Sequence, residues 1–166
     1  CGGPGAAYLW VNPQQIAVCE PKDVGWFSHQ NPFEFDINHF IYNKGALKFW
    51  GGTPSVVPSI IAANSIAYFA ALGIDKVRSH NLAMLALIQQ QLGKYVVSPT
   101  LQHQCSGTAI LNFNMQQQHV LNELNSAGIS VDARKLGIRV SPHIYNSADA
   151  IHKFIAVIKK AIKVVD

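Results

Sequence analysis

An apolar segment at residues 55–72 constrains the fold more than any other feature of this 166-residue sequence. It follows Pro54, ends before Gly73, and would have apolar side chains nearly all round a helix. Such a helix has no polar face for water, so we predict that it is buried between two layers. Polar residues interrupt it, and its apolar stretch is shorter than the roughly 20 residues that a membrane crossing needs. We therefore expect a long buried helix of a globular fold.

The residues on either side of this segment predict helices and strands around it. Residues 6–11 are apolar and aromatic, which favours a short strand, whereas residues 21–51 are rich in aromatics but have no sustained period. Apolar spacing, glycine stops and a Ser147 cap predict helices at 74–92, 115–127 and 147–165, and strands at 107–113, 129–131 and 137–140. This order predicts an α/β fold with an α+β C-terminal domain, in which helices cover one face of a small, mainly antiparallel sheet.

The composition of the chain limits which binding partners and which cellular compartment we expect. The three cysteines form no C-x-x-C pair, which favours reduced thiols in a cytoplasmic protein and gives no metal-site spacing. The net charge of +4 comes mostly from scattered lysines, so we expect no nucleic-acid partner, and the lack of a sufficiently long apolar segment leads us to expect no membrane partner. No charged and apolar leader opens the chain. Because the chain begins at Cys1 in a glycine-rich stretch, we expect it to be a fragment of a longer protein.

Three of four short motifs lie in the first third of the chain. Gly2-Gly3-Pro4-Gly5 permits a tight backbone turn, although a flexible terminus has the same composition. Val24-Gly25-Trp26-Phe27-Ser28-His29 places two flat apolar rings in the aromatic loop, where core packing is the alternative. Gly51-Gly52-Thr53-Pro54 offers backbone N–H groups and a hydroxyl to a phosphate just before a helix, or is only a helix start.

The fourth motif is Gly137-Ile138-Arg139-Val140-Ser141-Pro142. Arg139 interrupts an apolar strand in a chain with only three arginines. A guanidinium group binds a carboxylate through two parallel hydrogen bonds, so a carboxylate-binding role is preferred to a structural ion pair. Arg134 takes the same role if the strand register differs.

In order and approximate spacing, the four motifs resemble those of fold-type I pyridoxal-phosphate enzymes of the class V aminotransferase superfamily, and most closely its kynureninase branch. The Gly-Trp-Phe-x-His segment marks the branch, whereas the Gly-Thr-Pro turn is shared with cysteine desulfurases and other members. The resemblance implies pyridoxal 5'-phosphate as the cofactor. It puts the cofactor lysine just before Cys1, so no catalytic residue is expected within the chain.

The resemblance also implies roles for individual residues. Trp26, Gly52 and Thr53 would bind the cofactor phosphate, with Thr53 reaching the cofactor of the partner subunit in a homodimer whose active sites lie at the interface. Phe27 would shape the pocket for the aromatic ring of the substrate. Arg139 would bind the α-carboxylate of a small-molecule amino-acid substrate.

The implied organisation has three parts. Residues 1–54 would end the large cofactor-binding domain and carry the active-site loop, residues 55–73 would form the interdomain helix, and residues 74–166 the small domain. The implied reaction is hydrolysis of a kynurenine-type amino acid to alanine and an aromatic acid. A transaminase or a cysteine-desulfurase reaction is the alternative, although nothing singles out Cys105 for sulfur transfer. For the isolated chain, which lacks the lysine, the alternative is a structural or dimerisation module.

Overall fold

The computed structural model describes residues 3–101 and 103–163 of the chain. The chain divides into two compact units, Cys1–Phe69 and Ala70–Asp166. Three predicted features lie outside the described residues: the glycine turn at Gly2, the lysine position before Cys1, and the last helix beyond residue 163. The predicted division into domains at residues 54 and 73 stays a prediction.

The first unit contains short helices joined by loops. Helix α1, Pro13–Ile16, begins at Asn12, whose side chain accepts a hydrogen bond from the Gln14 N–H (3.0 Å). Two 3-10 helices follow, Trp26–Ser28 and Ala46–Phe49. The strand predicted at residues 6–11 is wrong, because a strand needs a neighbour to pair its backbone groups and the described chain supplies none there.

Helix α2, Val56–Leu72, forms where the apolar segment predicts it. Its predicted burial is wrong for the described chain, in which Val57, Ile60 and Tyr68 are each more than 60% exposed and Ala62 is the one helix residue that is buried. Most apolar side chains of the helix are therefore exposed in the described chain. Among the described residues no single helix is long and apolar enough to span a membrane; α2 and the next helix pass that test only as a bent pair.

The second unit begins with the end of α2 and continues with α3, Ile74–Leu92, at the predicted bounds. The other elements are the 3-10 helix Gly93–Tyr95, strand β1 at Ala109–Leu111, the 3-10 helix Asn114–Gln116, helix α4 at Gln117–Ser126, strands β2 at Asp132–Arg134 and β3 at Gly137–Val140, and helix α5 at Ala148–Lys163. The Ser147 hydroxyl accepts a hydrogen bond from the Ala150 N–H (3.2 Å), which confirms the predicted cap of α5.

The strand predicted at residues 129–131 is shifted to Asp132–Arg134. The reason lies at the end of α4, where Gly128 has a φ of 73° and Ile129 N–H bonds back to the Leu124 carbonyl (2.9 Å). This glycine-terminated helix end uses the backbone of residue 129, so strand pairing starts later. The strand predicted at 107–113 is likewise shorter, as β1.

The three strands form one antiparallel sheet in the order β1-β3-β2. Leu111, Ile138 and Val140 turn towards the helices and join a buried core with Ile88 of α3 and Ile158 of α5. Helix α4 adds Val120 and Leu124 to the same core. The predicted α/β fold class, with a small antiparallel sheet covered by helices, is confirmed.

Candidate functional site

A buried serine joins the Trp26 segment to the chain just before the glycine turn. Ser28 is fully buried, and its hydroxyl accepts a hydrogen bond from the Gly25 N–H (3.1 Å) while donating one to the Trp50 carbonyl (2.9 Å). The side chain therefore bridges the start of the Trp26–Ser28 helix to Trp50. A buried hydroxyl that satisfies a donor and an acceptor at once holds both backbone segments in place.

The backbone of Gly25 lies directly against that of Gly51. A Cβ atom added at Gly25 would come within 1.7 Å of the Gly51 carbonyl oxygen, which no side chain tolerates. Glycine is required at position 25 for this close approach. The structure thus brings together two predicted cofactor-binding elements, Trp26 and the glycine-rich turn at residues 51–53.

The turn at residues 51–53, called here the 51–53 turn, leaves its hydrogen-bonding groups unused. Within the described part of the chain, the backbone N–H groups of Gly51, Gly52 and Thr53 and the Thr53 hydroxyl have no hydrogen-bond partner. No atom lies within 4 Å of a Cβ built at Gly51 or at Gly52, so the backbone is open to close approach. Two residues, Pro54 and Ser55, separate the turn from the start of α2. A phosphate group needs such donors near a helix N-terminus, so these residues fit the cofactor phosphate.

Trp26 and Phe27 lie edge to face, with ring centroids 5.2 Å apart. Trp26 is 40% exposed and also contacts Phe33 edge to face at 5.8 Å, whereas Phe27 is half-buried. Among the described residues the Trp26 indole N–H has no hydrogen-bond partner, so it is available to an acceptor. The buried His29 ring is partly satisfied, because its Nδ1 lies 3.0 Å from the Asn31 N–H nitrogen, while Nε2 has no partner among the described atoms.

Arg139 lies on the sheet face opposite the helices. Its neighbours in β3, Ile138 and Val140, are buried, while the Arg139 side chain is 44% exposed. Strand pairing sets Arg139 opposite Asp132, and Arg139 Nη2 lies 2.9 Å from Asp132 Oδ2. Arg134 Nη2 contacts the same oxygen at 2.5 Å. The two arginines that the sequence offered as carboxylate ligands therefore share one carboxylate of the chain itself.

Neither Cys105 nor any cluster of potential metal ligands forms a further candidate site among the described residues. The Cys105 thiol is half-buried and donates to the Pro99 carbonyl (3.3 Å), and Arg78 donates to the Cys105 carbonyl (2.9 Å). The described residues contain no group of three or more His, Cys, Asp or Glu side chains that could hold a metal ion.

Two positioning residues were not found from the sequence. Ser28 stands at the variable position of the Gly-Trp-Phe-x-His segment, and no local pattern marks it as a bridge over twenty-two positions to Trp50. Asp132 pairs with both arginines. Side chains alternate along a strand, so Asp132 and Arg134 lie on the same face of β2. Asp132 was missed because the strand was predicted at residues 129–131.

A family model described as Aminotransferase class-V matches residues 1–157 of the chain. Among curated proteins, the chain is 29% identical over 175 residues to a kynureninase of Shouchella clausii (strain KSM-K16), covering 98% of the chain and 40% of the relative. It is 24% identical over 149 residues to an uncharacterized aminotransferase of Bacillus subtilis (strain 168), covering 89% and 39%. The chain thus spans about two fifths of the length of these relatives.

Two solved structures share the fold. An apo cysteine desulfurase from Thermococcus onnurineus NA1 superposes with a TM-score of 0.78 at 17% identity, covering 93% of this chain and 42% of the other. A cysteine desulfurase from Escherichia coli superposes with a TM-score of 0.75, also at 17% identity, covering 92% and 41%. At this identity the likeness concerns the fold, which is that of fold-type I pyridoxal-phosphate enzymes.

Proposed function

This chain belongs to the class-V aminotransferase family, and from that premise we propose that it is the C-terminal part of an enzyme that hydrolyses kynurenine-type amino acids to alanine and an aromatic acid. The family uses pyridoxal 5'-phosphate as its cofactor. The kynureninase that is 29% identical over nearly the whole chain supports this choice of reaction. So does the Gly25-Trp26-Phe27 segment, whose aromatic rings suit an aryl substrate.

One observation carries the cofactor assignment on which the proposal depends: the 51–53 turn and the Trp26 segment lie together with unused donors. Three backbone N–H groups, the Thr53 hydroxyl and the Trp26 indole N–H are unused among the described residues, and the backbone of Gly25, next to Trp26, lies against that of Gly51. A phosphate dianion accepts several such hydrogen bonds, and bonds to a charged acceptor are stronger than those between neutral groups. We assign the cofactor phosphate to this set, with Gly52 giving access to the backbone.

When bound, the cofactor would supply an electron sink for cleavage of the β–γ bond of the substrate. The residues of this chain bind and orient. Arg139 would hold the α-carboxylate of the substrate, since a guanidinium fork fixes both position and plane of a carboxylate. Phe27, half-buried against Trp26, would contact the aromatic ring of the substrate through an apolar face.

Transamination or sulfur transfer is the second candidate. The aminotransferase relative and the two cysteine-desulfurase folds support a different reaction at the same type of site. Sulfur transfer needs a reactive thiol, and the half-buried Cys105 thiol donates to the Pro99 carbonyl, with no cation to activate it among the described contacts of its sulfur atom. The kynureninase-like reaction is preferred because of the 29% identity to a kynureninase over nearly the whole chain.

Turnover of a small substrate panel tests the reaction. The complete protein, loaded with pyridoxal 5'-phosphate, would be incubated with L-kynurenine, 3-hydroxykynurenine, L-cysteine, and an amino donor with a 2-oxo acid, and the products identified by mass spectrometry. We expect alanine and the aromatic acid from a kynurenine at the highest kcat/KM. Release of sulfide from L-cysteine, or amino transfer as the main reaction, would replace our assignment by the second candidate.

Arg139→Lys tests the carboxylate role in the same assay. Lysine keeps the charge but loses the planar fork, so we expect kcat/KM to fall by about tenfold to a hundredfold. Arg78→Lys is the matched control, because Arg78 is an exposed arginine of the same unit that donates only to the Cys105 carbonyl. If the two variants have equal kcat/KM, the proposal that Arg139 binds the substrate carboxylate is wrong.

The remaining assignments concern the assembly. We propose a cytoplasmic homodimer with active sites at its interface, on the basis of the unpaired cysteines and the family resemblance. The isolated chain would then serve as a structural module, since the resemblance assigns the cofactor lysine to a position before Cys1. Addition of an equimolar amount of pyridoxal phosphate to the isolated chain should give no saturable absorption band that borohydride reduces, beyond the weak adducts that exposed lysines form.

A further inference from the structure

Arg139 shares its ion-pair partner, Asp132, with a second arginine, Arg134, and the three side chains together carry a net positive charge. Asp132 Oδ2 accepts from Arg139 Nη2 (2.9 Å) and from Arg134 Nη2 (2.5 Å). Two guanidinium groups against one carboxylate leave one positive charge in excess. An Arg139–Asp132 pair alone would be neutral and would attract a substrate carboxylate poorly.

Asp132 engages only part of the Arg139 guanidinium. The Nη1 and Nε groups of Arg139 have no partner among the described residues, so most of its five N–H donors remain available. A second carboxylate can therefore bind without displacing Asp132. Asp132 lies directly opposite Arg139 in the β2–β3 ladder, where facing side chains are closest neighbours. The strand register therefore fixes the direction from which Asp132 contacts the guanidinium group.

We propose that Asp132 is a positioning residue that holds Arg139 for the substrate carboxylate, and that Arg134 keeps the cluster cationic while Asp132 does so. The proposal rests on the proposed function of Arg139. An unrestrained arginine samples many rotamers and loses that freedom on binding, whereas a tethered one has lost part of it in advance. Asp132 therefore strengthens carboxylate binding although it carries the same charge as the ligand.

Stability does not explain the cluster. The three side chains are 41% to 54% exposed, and ion pairs with such exposure contribute little to folding because solvent screens them. Asp132→Asn should consequently leave the melting temperature of the complete protein close to that of the wild type. Effects on ligand binding can then be read apart from effects on folding.

The sign of the binding change distinguishes positioning from competition. Asp132→Asn raises the excess positive charge of the cluster from one to two. If Asp132 only competes with the ligand for Arg139, this substitution should tighten anion binding. If Asp132 positions Arg139, the substitution should weaken anion binding. Arg134→Ala should also weaken binding, through lost charge, and Lys135→Ala is its control because Lys135 lies next in the chain and makes no contact with Asp132.

The experiment is a double-mutant cycle on the complete, cofactor-loaded protein. Calorimetry would give the Kd of L-alanine and of L-alaninamide, which lacks the carboxylate, for the wild type, Asp132→Asn, Arg139→Ala and the double variant. We expect Asp132→Asn to raise the Kd of L-alanine by about tenfold, to leave that of the amide unchanged, and to have no effect once Arg139 is absent. In turnover, KM should rise while kcat stays close to the wild-type value.

The outcomes separate the two assignments. If Arg139→Ala leaves the Kd of L-alanine unchanged, or if the wild type does not prefer L-alanine to its amide, the carboxylate role of Arg139 fails and this inference fails with it. If Arg139→Ala weakens binding but Asp132→Asn tightens it, leaves it unchanged, or acts equally without Arg139, only the positioning role of Asp132 is overturned.

Discussion

At the scale of single residues, the candidate site depends on a serine that makes no contact proposed for cofactor or substrate. Ser28 is fully buried and ties Gly25 to Trp50, and with them Trp26 to the 51–53 turn. Its role is to fix two backbone segments whose own donors stay free. Cofactor contacts are only as well defined as the segments that present them.

Ser28→Ala should therefore weaken both folding and cofactor binding. The change leaves a part-buried N–H and a part-buried carbonyl without their partner, which costs about 1 kcal/mol or more. Urea unfolding and the Kd for pyridoxal phosphate would be measured on the complete protein. Ser79→Ala, at an exposed position of α3, is the control, and equal effects of the two changes would contradict the bridging role.

The sequence offered residues that would touch ligands but not the residues that hold them in place. Trp26, Thr53 and Arg139 stand in motifs whose chemistry is local, and their roles stay predictions. Asp132 acts through a cross-strand register, and the strand was predicted at residues 129–131, which left Asp132 outside it. A small error in strand position removes such information, since neighbouring strand residues point to opposite faces.

At the scale of elements, Gly137 fixes the hairpin that presents Arg139. It opens β3 with a φ of 148°, and a Cβ there would lie 2.3 Å from the Leu111 carbonyl oxygen of β1. Only glycine combines this conformation with such a close approach. The pairing of β1 with β3, and the pairing of Asp132 with Arg139 beyond it, depend on this position.

Gly137→Ala should destabilise the fold by more than about 2 kcal/mol, because backbone strain and a clash with backbone add together. Gly128→Ala is the control, since Gly128 also has a positive φ but no atom lies within 4 Å of its added Cβ, and it should cost only about 1 kcal/mol. The free energies of unfolding from urea titration give the comparison. Equal losses would show that the approach to Leu111 does not constrain the hairpin.

Helices were predicted more accurately than strands, for a physical reason. The bounds of α3 follow from apolar spacing and flanking glycines, and those of α5 from the Ser147 cap, all of which are local signals. The strands have only three or four residues each and depend on partners distant in sequence. The segment at residues 6–11 had strand composition but no such partner among the described residues.

At the scale of the whole molecule, the chain exposes more apolar surface than a stable monomer usually does. Tyr8, Leu9 and Trp10 are each about 70–80% exposed, and α2 adds a row of exposed isoleucines and valines. Large exposed apolar patches mark surfaces that another protein surface covers. The chain also spans only about two fifths of the length of its curated relatives.

The isolated chain should therefore self-associate. Light scattering coupled to size-exclusion chromatography would give its mass over a range of concentrations. Ile60→Glu should reduce association by placing a charge on α2, whereas Lys76→Glu, which adds negative charge at an exposed position of α3, should not. A wild-type chain that stays monomeric at all concentrations would contradict the expectation.

The most direct test of the central claim is the selectivity of the complete protein for the cofactor phosphate. Equilibrium dialysis would compare pyridoxal phosphate with pyridoxal for the wild type, Thr53→Val, which removes only the hydroxyl, and Ser55→Ala, the nearest other hydroxyl. We expect Thr53→Val to raise the Kd of pyridoxal phosphate by about tenfold and to leave that of pyridoxal unchanged, with Ser55→Ala like the wild type. Equal losses for both ligands, or no loss for pyridoxal phosphate, would contradict a phosphate site at the 51–53 turn.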